Sequence, residues 1–380
     1  MHSAFTLNID DFLAHYWQKK PVLIKGGFPQ FEDPLSPDEL AGLALEPHTE
    51  ARRVWRADDR WHAETGPFES YDHLGETDWT LLVQAVNQWH PGVQDIAEAF
   101  RFIPGWRFDD VMVSFSAPGG GVGPHIDQYG VFIIQGQGTR RWRVGLAQDL
   151  QQFAAHGALR HCEDFVAEID EVLTPGDVLY IPPGCPHEGY AETPSLNYSV
   201  GFRAPDARDL ISGFADHMLA HESDSRRFDD ANMPASTAHG RIDHEVMSQV
   251  KSLMTELLDD PVRMADWFGQ MVSEAKHDLD LEPVEPLYSL EELVLRMDHG
   301  DHLYRLAGVR SFYMEGSEQV FYVDGERYQL AEPDADAIAL VCDQARICGP
   351  EVACLKHPQA LLEVLLPLVN QGYWYFEEEE

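Results

Sequence analysis

The alternation of apolar and polar positions changes character twice along this chain. Near the N-terminus, "IDDFLAHYWQKKPVLIKGG" predicts a short helix from about Asp10 to Trp17, then an extended run Val22–Ile24 closed by Gly26 and Gly27. Residues 28–105 mix short apolar patches with Pro, Asp and Trp, and predict mostly helix and loop. From Val111 to Phe202 the pattern becomes a series of short strand-like runs separated by Gly, Pro and Asp: "VMVSFS", "VFIIQ", "RRWRVG", "EVLTPGDVLYIP", "HEGYA" and "LNYSVGFR". Many short strands punctuated by turns predict a β-sandwich or small barrel.

After Pro205 the period turns helical. In "DARDLISGFADHMLAH", Leu210, Phe214 and Met218, with Ile211 and Leu219, fall along one stripe. "EVMSQVKSLMTELL" repeats the spacing, and "DDPVRMADWFGQMV" opens with Asp260 and Pro261 in N-cap and first-turn order. Three amphipathic helices without an evident core of their own predict either an insert that packs on a second copy of the chain or helices that cover the barrel. Beyond "EPVEPLYS" come a helix from about Leu290, a hairpin "VFYVDGERYQL" turning at Asp-Gly, a helix around Ala335–Arg346, and "PQALLEVLLPLVNQGYWYFEEEE". Helices with one small hairpin resemble a winged-helix domain. The chain therefore divides at 1–205, 206–280 and 281–380, with no internal repeat and one low-complexity tract, Glu377–Glu380.

Charge narrows the partners. The 380 residues carry 27 Lys+Arg against 65 Asp+Glu, a net of −38. Such a field repels phosphate backbones, so naked nucleic acid is excluded as a partner and a basic protein or peptide is favoured. The same acidity would also serve solubility or a salty cytoplasm. Residues 281–380 hold 20 acidic and 6 basic side chains, which turns the winged-helix-like segment from DNA binding toward a structural or protein-contact role. Five scattered cysteines without a CxxC pair read as reduced thiols. "MHSAFTLNIDDF" has no basic region followed by an apolar stretch, and no run approaches the ~18 apolar residues of a membrane span. A cytoplasmic protein without membrane contact is expected.

The chemistry concentrates in "GPHIDQYGVFIIQGQGTRRWRVG". Strand alternation would place the side chains of His125 and Asp127 on one face, as a metal half-site or an ordinary hydrogen-bonded pair. A catalytic iron(II) needs two imidazoles and one carboxylate on one face, with the opposite side open. "GDVLYIPPGCPHEG" offers the missing imidazole: a strand from Asp177 to Ile181, a Pro/Gly turn, then His187 on a short segment leaving it, 60 residues beyond Asp127. The spacing Gly176-x5-Pro182-x-Gly184-x2-His187 resembles the second motif of the cupins, whereas Asp127 in place of a second histidine points to the oxygenases among them.

"FLAHYWQKKPVLIKG", "SFSAPGGGVGPHIDQYGVFIIQGQGTRRWRVG" and "LTPGDVLYIPPGCPHEGYA" are similar to the JmjC-type iron(II)- and 2-oxoglutarate-dependent oxygenases, and within them to the bacterial ribosomal oxygenases. The match runs from about residue 5 to 203, and the helical middle and acidic tail follow the same order. This resemblance implies a mainly β core, a double-stranded β-helix or cupin-like jelly roll, with a helical dimerisation region and a C-terminal winged-helix-like domain. It implies a homodimer that hydroxylates the β-carbon of an arginine in the basic large-subunit ribosomal protein L-sixteen, consuming O2 and 2-oxoglutarate. By position it makes His125, Asp127 and His187 the iron ligands. It makes Arg140 the cation for the far carboxylate of 2-oxoglutarate, Ser116 an added hydroxyl, and Asn197 a contact near the metal. Arg141 and Arg143 compete with Arg140; Arg141 is expected on the face opposite Arg140 and Arg143, so register decides, and the resemblance favours Arg140. Gln128 and Tyr129 are candidate rim contacts. A lysine demethylase of the same fold, or a catalytically silent cupin-like binding protein, are the competing readings. His217 with His221, and His299 with His302, read as surface histidines, and "APGGGVG" as a turn rather than a phosphate loop, since no helix follows it.

Overall fold

The computed structural model describes residues 5–71, 74–221, 227–231 and 238–377; Glu378–Glu380 of the terminal acidic tract lie outside the described residues. Contacts gather the chain into two compact units. One runs to Ala204 and takes in Lys276–Asp280 and Leu306–Gly308; the other comprises Pro205–Ala275, Leu281–Arg305 and the chain from Val309 onward.

Two large antiparallel sheets and one two-stranded hairpin make up the strands of the first unit. The larger runs Val22–Ile24, Val178–Ile181, Gly130–Gln135, Ser195–Phe202, Phe108–Ser116, Trp79–Val83, Ala51–Ala57, Arg60–Thr65; the smaller runs Ile169–Leu173, Arg140–Val144, Pro186–Ala191, His125–Ile126. This is the double-stranded β-helix expected of the cupin-like class. Alternation sorts the central strands. Val131, Ile133, Leu179 and Ile181 pack with Trp142, Val144 and Leu173 of the smaller sheet. Their neighbours Phe132, Ile134, Val178 and Tyr180 pack with Phe12, Val93 and Phe100. A strand covered on both faces has no polar side to show, hence the unbroken "VFII" and "VLYI" runs. Burial of each large side chain contributes about 1.5–3 kcal/mol.

Two sequence expectations are corrected. Residues 28–105 are not mostly helix and loop: Ala51–Ala57, Arg60–Thr65 and Trp79–Val83 extend the larger sheet. Charged residues on the outer hairpin hid its alternation, and its turn is made by Asp58 and Asp59, both at positive φ. "EVLTPGDVLYIP" is two strands in two sheets, split where Asp177 accepts a bond from the Thr174 N–H (2.8 Å) and Gly176 adopts φ +87. Gln152–His156 pairs with Leu159–Cys162 in a further hairpin, which lies outside the strand-like runs of the sequence.

In the second unit, Asp260 caps the helix Pro261–Ser273 by accepting from the N–H groups of Val262 and Arg263. Trp267 of that helix meets Phe214 of Ala207–His221 edge-on at 5.3 Å. Gly269 lets the helix sit on the ring of Tyr322, where a Cβ would lie 2.3 Å from it, and the Tyr322 hydroxyl donates to Asp266 at 2.7 Å. Tyr322 belongs to the hairpin Val320–Val323 and Glu326–Gln329, whose Asp324-Gly325 turn has both residues at positive φ, as the Asp-Gly pair predicts. Ile211, Leu219, Met247, Met254 and Leu258 are exposed.

Candidate metal centre

His125 and Asp127 do not share a strand as expected: the strand ends at Ile126 and Asp127 follows in the loop. His187, expected beyond a strand, lies within Pro186–Ala191 and pairs directly with His125. The glycine-rich approach to His125 is a turn, as read. Gly123 stands at φ +81 with His161 2.4 Å from where a Cβ would be, so a side chain there is excluded twice over. His161 Nε2 bonds the Val122 carbonyl (2.8 Å), and the Cys162 N–H donates to the Pro124 carbonyl (2.9 Å), fixing that segment.

The three side chains converge. Asp127 Oδ2 lies 3.8 Å from His125 Nε2 and 3.6 Å from His187 Nε2, and one donor atom from each residue falls within 4.8 Å of the others. These two gaps are shorter than twice a metal–ligand bond of about 2.0–2.2 Å, so one first-row ion can reach all three. Each imidazole is oriented from its other nitrogen: His125 Nδ1 bonds the Gly123 carbonyl (2.9 Å) and His187 Nδ1 the Cys185 carbonyl (3.0 Å). An N–H donated there leaves Nε2 as the free lone pair. Burial, and then the nearby His125, push the His187 imidazole down to about 4 despite Asp127, keeping it neutral and able to coordinate. Among the described residues this is the one such cluster of histidine, cysteine and carboxylate donors. His217 and His221 stack on an exposed helix face outside it.

The triad opens into a cavity of about 270 Å³ that also reaches Arg140, Trp142 and Asn197. Arg140 is 4% exposed, and its N–H groups donate to Ser116 (2.5 Å), Ser195 (3.4 Å) and Ser114 (3.5 Å). All three partners are neutral hydroxyls. Burial therefore pushes its guanidinium down to about 9, the signature of a cation held without a counter-charge. Ser116, fully buried, is engaged by Arg140 and by Thr80 Oγ1 at 2.8 Å. Asn197 donates to Gln135 Oε1 (2.9 Å). Four buried polar atoms of the cavity-lining residues have no hydrogen-bond partner: Arg52 Nε, Arg140 Nε, Trp142 Nε1 and Asn197 Oδ1. The orphaned N–H donors of Arg140 and Trp142, on an unmatched cation and beside it, fit a small dianion.

The competing arginines fall away. Arg143 shares the face of Arg141, two residues before it, and not that of Arg140, which corrects the expected alternation. Arg141 pairs with Asp170 (2.7 Å), and Arg143 with Glu188 and Asp164. Tyr129 lines the cavity, and Gln128 is exposed.

The sequence reading assigned no acid to the site's rim. Asp110 lies on the same strand face as Met112 and Ser114, which line the cavity. It is 7% exposed and pushed up to about 6, chiefly by burial and then by Asp109, while the Ala85 N–H, His277 and Arg203 hold it down. Its parity with Met112 was the one available signal; nothing local pointed to Thr80, which lines the cavity from a distant strand, or to Gln135, which accepts from Asn197.

Comparison with known proteins accords with this geometry. The JmjC domain matches residues 95–210 and a ROXA-like winged helix matches residues 256–375. The ribosomal protein uL16 3-hydroxylase of Escherichia coli (strain K12) is 46% identical over 377 residues, 99% of this chain and 100% of that protein. The chain belongs to the JmjC-type ribosomal oxygenases. Solved structures of the E. coli ribosomal oxygenase YcfD, one with cobalt and 2-oxoglutarate and one with cobalt and succinic acid, each superpose on this oxygenase with a TM-score of 0.91 at 45% identity, covering 100% of both chains. The winged-helix match begins within His244–Leu258 and takes in the helix that packs on the Tyr322 hairpin.

Proposed function

We propose that this ribosomal oxygenase is an iron(II)- and 2-oxoglutarate-dependent hydroxylase of the β-carbon of an arginine in ribosomal protein uL16. One observation carries the reading: a single cavity has three metal-ligand donors at one place and, at another, a buried guanidinium matched only by hydroxyls. Held by His125, Asp127 and His187, iron(II) would supply the redox chemistry that couples O2 and decarboxylation of 2-oxoglutarate to oxygen insertion into an unactivated C–H bond.

The protein's own residues do the rest. Arg140 neutralises the cosubstrate's far carboxylate, and Ser116 orients the guanidinium by accepting its N–H. Asn197, tied to Gln135, presents its Oδ1 toward the chemistry. Val131, Ile133 and Trp142 exclude water from a reaction that would otherwise damage the enzyme. At the rim, Tyr129 and Met112 flank the entering side chain, and Asp110 is the acid we place opposite its guanidinium. A net charge of −38 steers a basic ribosomal protein toward this site and disfavours naked nucleic acid.

We assign the exposed stripe Met247, Met254 and Leu258, with Ile211 and Leu219, to a homodimer interface. A cytoplasmic setting fits a ribosomal substrate, and among the described residues no helix is long and apolar enough to cross a membrane. Incubation with uL16, iron(II), 2-oxoglutarate and O2 should add one oxygen atom to a single arginine with matching succinate, and His187→Ala should abolish both. Loss of a lysine methyl group instead, or no succinate from folded protein, would overturn the assignment.

A further inference from the structure

Trp142 stands out once the triad and Arg140 are accounted for. It lies on the same strand face as Arg140, two residues further along, and across from it on the neighbouring strand is Gly189. A Cβ at Gly189 would fall 2.7 Å from the indole ring, so this glycine lets the ring lie flat against the backbone. On that face of the sheet the next cross-strand pair is Val144 with His187, and the previous one Arg140 with Ala191. Trp142 therefore occupies the step between the cation and the metal ligands, with its ring centroid 6.3 Å from that of His187 and 5.9 Å from the Arg140 guanidinium carbon. The side chain is 7% exposed and lines the cavity, yet its Nε1–H has no acceptor. A buried indole N–H normally finds a partner, and losing one costs the full desolvation of the donor.

From these positions we infer that the indole N–H of Trp142 donates a hydrogen bond to a carboxylate oxygen of the bound cosubstrate. The inference rests on the 2-oxoglutarate reading above and adds a specificity-determining residue to it. Arg140 recognises charge, whereas a fixed N–H on the path between Arg140 and the triad recognises where along that path an oxygen falls. Trp142 thereby selects the length of the dicarboxylate as well as its charge.

The test uses the full chain loaded with zinc, which is diamagnetic and does not turn over. Nine tryptophans give nine indole N–H signals in a proton–nitrogen correlation spectrum. Trp142→Phe identifies the relevant one, and replacing zinc by manganese(II), which broadens the indole nearest the triad, identifies it without any variant. Saturating 2-oxoglutarate should move that signal downfield, with a smaller shift for the dicarboxylate one carbon longer. Trp142→Phe should bind 2-oxoglutarate about tenfold or more weakly while keeping zinc affinity, because one bond to a charged acceptor is lost. An indole signal that stays in place while 2-oxoglutarate binds, or a Trp142→Phe chain with wild-type affinity, would overturn the inference and leave the function intact. Absence of any 2-oxoglutarate binding to the wild-type chain would overturn both.

Discussion

Replacing Arg140 by methionine keeps most of the side chain's volume and removes its charge, and the two consequences should run in opposite directions. Burial lowers this guanidinium from 12.5 to about 9, which corresponds to ~5 kcal/mol against the charged form in the fold. The bond to Ser116 returns about 1.5–3 kcal/mol, and the longer contacts to Ser114 and Ser195 return less. The ligand-free fold therefore carries a net cost of about 2–3 kcal/mol for holding this cation, which the proposed carboxylate partner would offset. When a carboxylate arrives the balance reverses. Truncating one partner of a buried charge pair typically costs about 3–5 kcal/mol, so Arg140→Met should weaken 2-oxoglutarate roughly 100- to 3000-fold. Denaturant unfolding of metal-loaded protein reads both effects. Without 2-oxoglutarate the variant should be as stable as wild type or more so. With 2-oxoglutarate at about 100 times its wild-type dissociation constant, wild type should gain about 2.7 kcal/mol and the variant no more than about 0.4 kcal/mol. A variant destabilised by more than about 1 kcal/mol without ligand, or one that keeps its 2-oxoglutarate affinity, would refute the reasoning, because Arg140 would then be a structural arginine.

Asp110→Asn tests the rim. The wild-type carboxyl titrates at about 6 in the fold against an ordinary 3.8, so the fold favours the protonated form, and wild type loses stability as pH rises through that window. Asparagine does not titrate, so at pH 7 the variant should be up to ~3 kcal/mol more stable than wild type relative to its standing below pH 4, with lower turnover of uL16. Equal urea midpoint differences at both pH values would remove the buried charge from the account. Met254→Glu with Leu258→Glu should convert the proposed dimer to monomer by sedimentation, with no loss of helix content, since both side chains are exposed in the isolated chain; an unchanged dimer would place the interface elsewhere.

What the sequence determined by itself was whatever depends on near neighbours. Period and parity identified most of the strands between Val111 and Phe202, the helices after Pro205 and the Asp-Gly hairpin, because side-chain direction repeats every two or every 3.6 residues whatever surrounds it. Donor chemistry at His125, Asp127 and His187, together with family resemblance, identified the site. Tertiary structure decided everything that depends on residues far apart in the chain. Only the pairing of His187 with His125 shows that the third imidazole reaches the other two ligands. Only the folded neighbours separate Arg140, surrounded by hydroxyls, from Arg141 and Arg143, which are neutralised by carboxylates. Thr80, Gln135 and Trp142 were silent in the sequence for the same reason: a hydroxyl, an amide or an indole acquires its role from the atom it faces. Burial completes the difference, since the low dielectric around the Arg140 guanidinium is supplied by strands closing around it, and no local pattern encodes that.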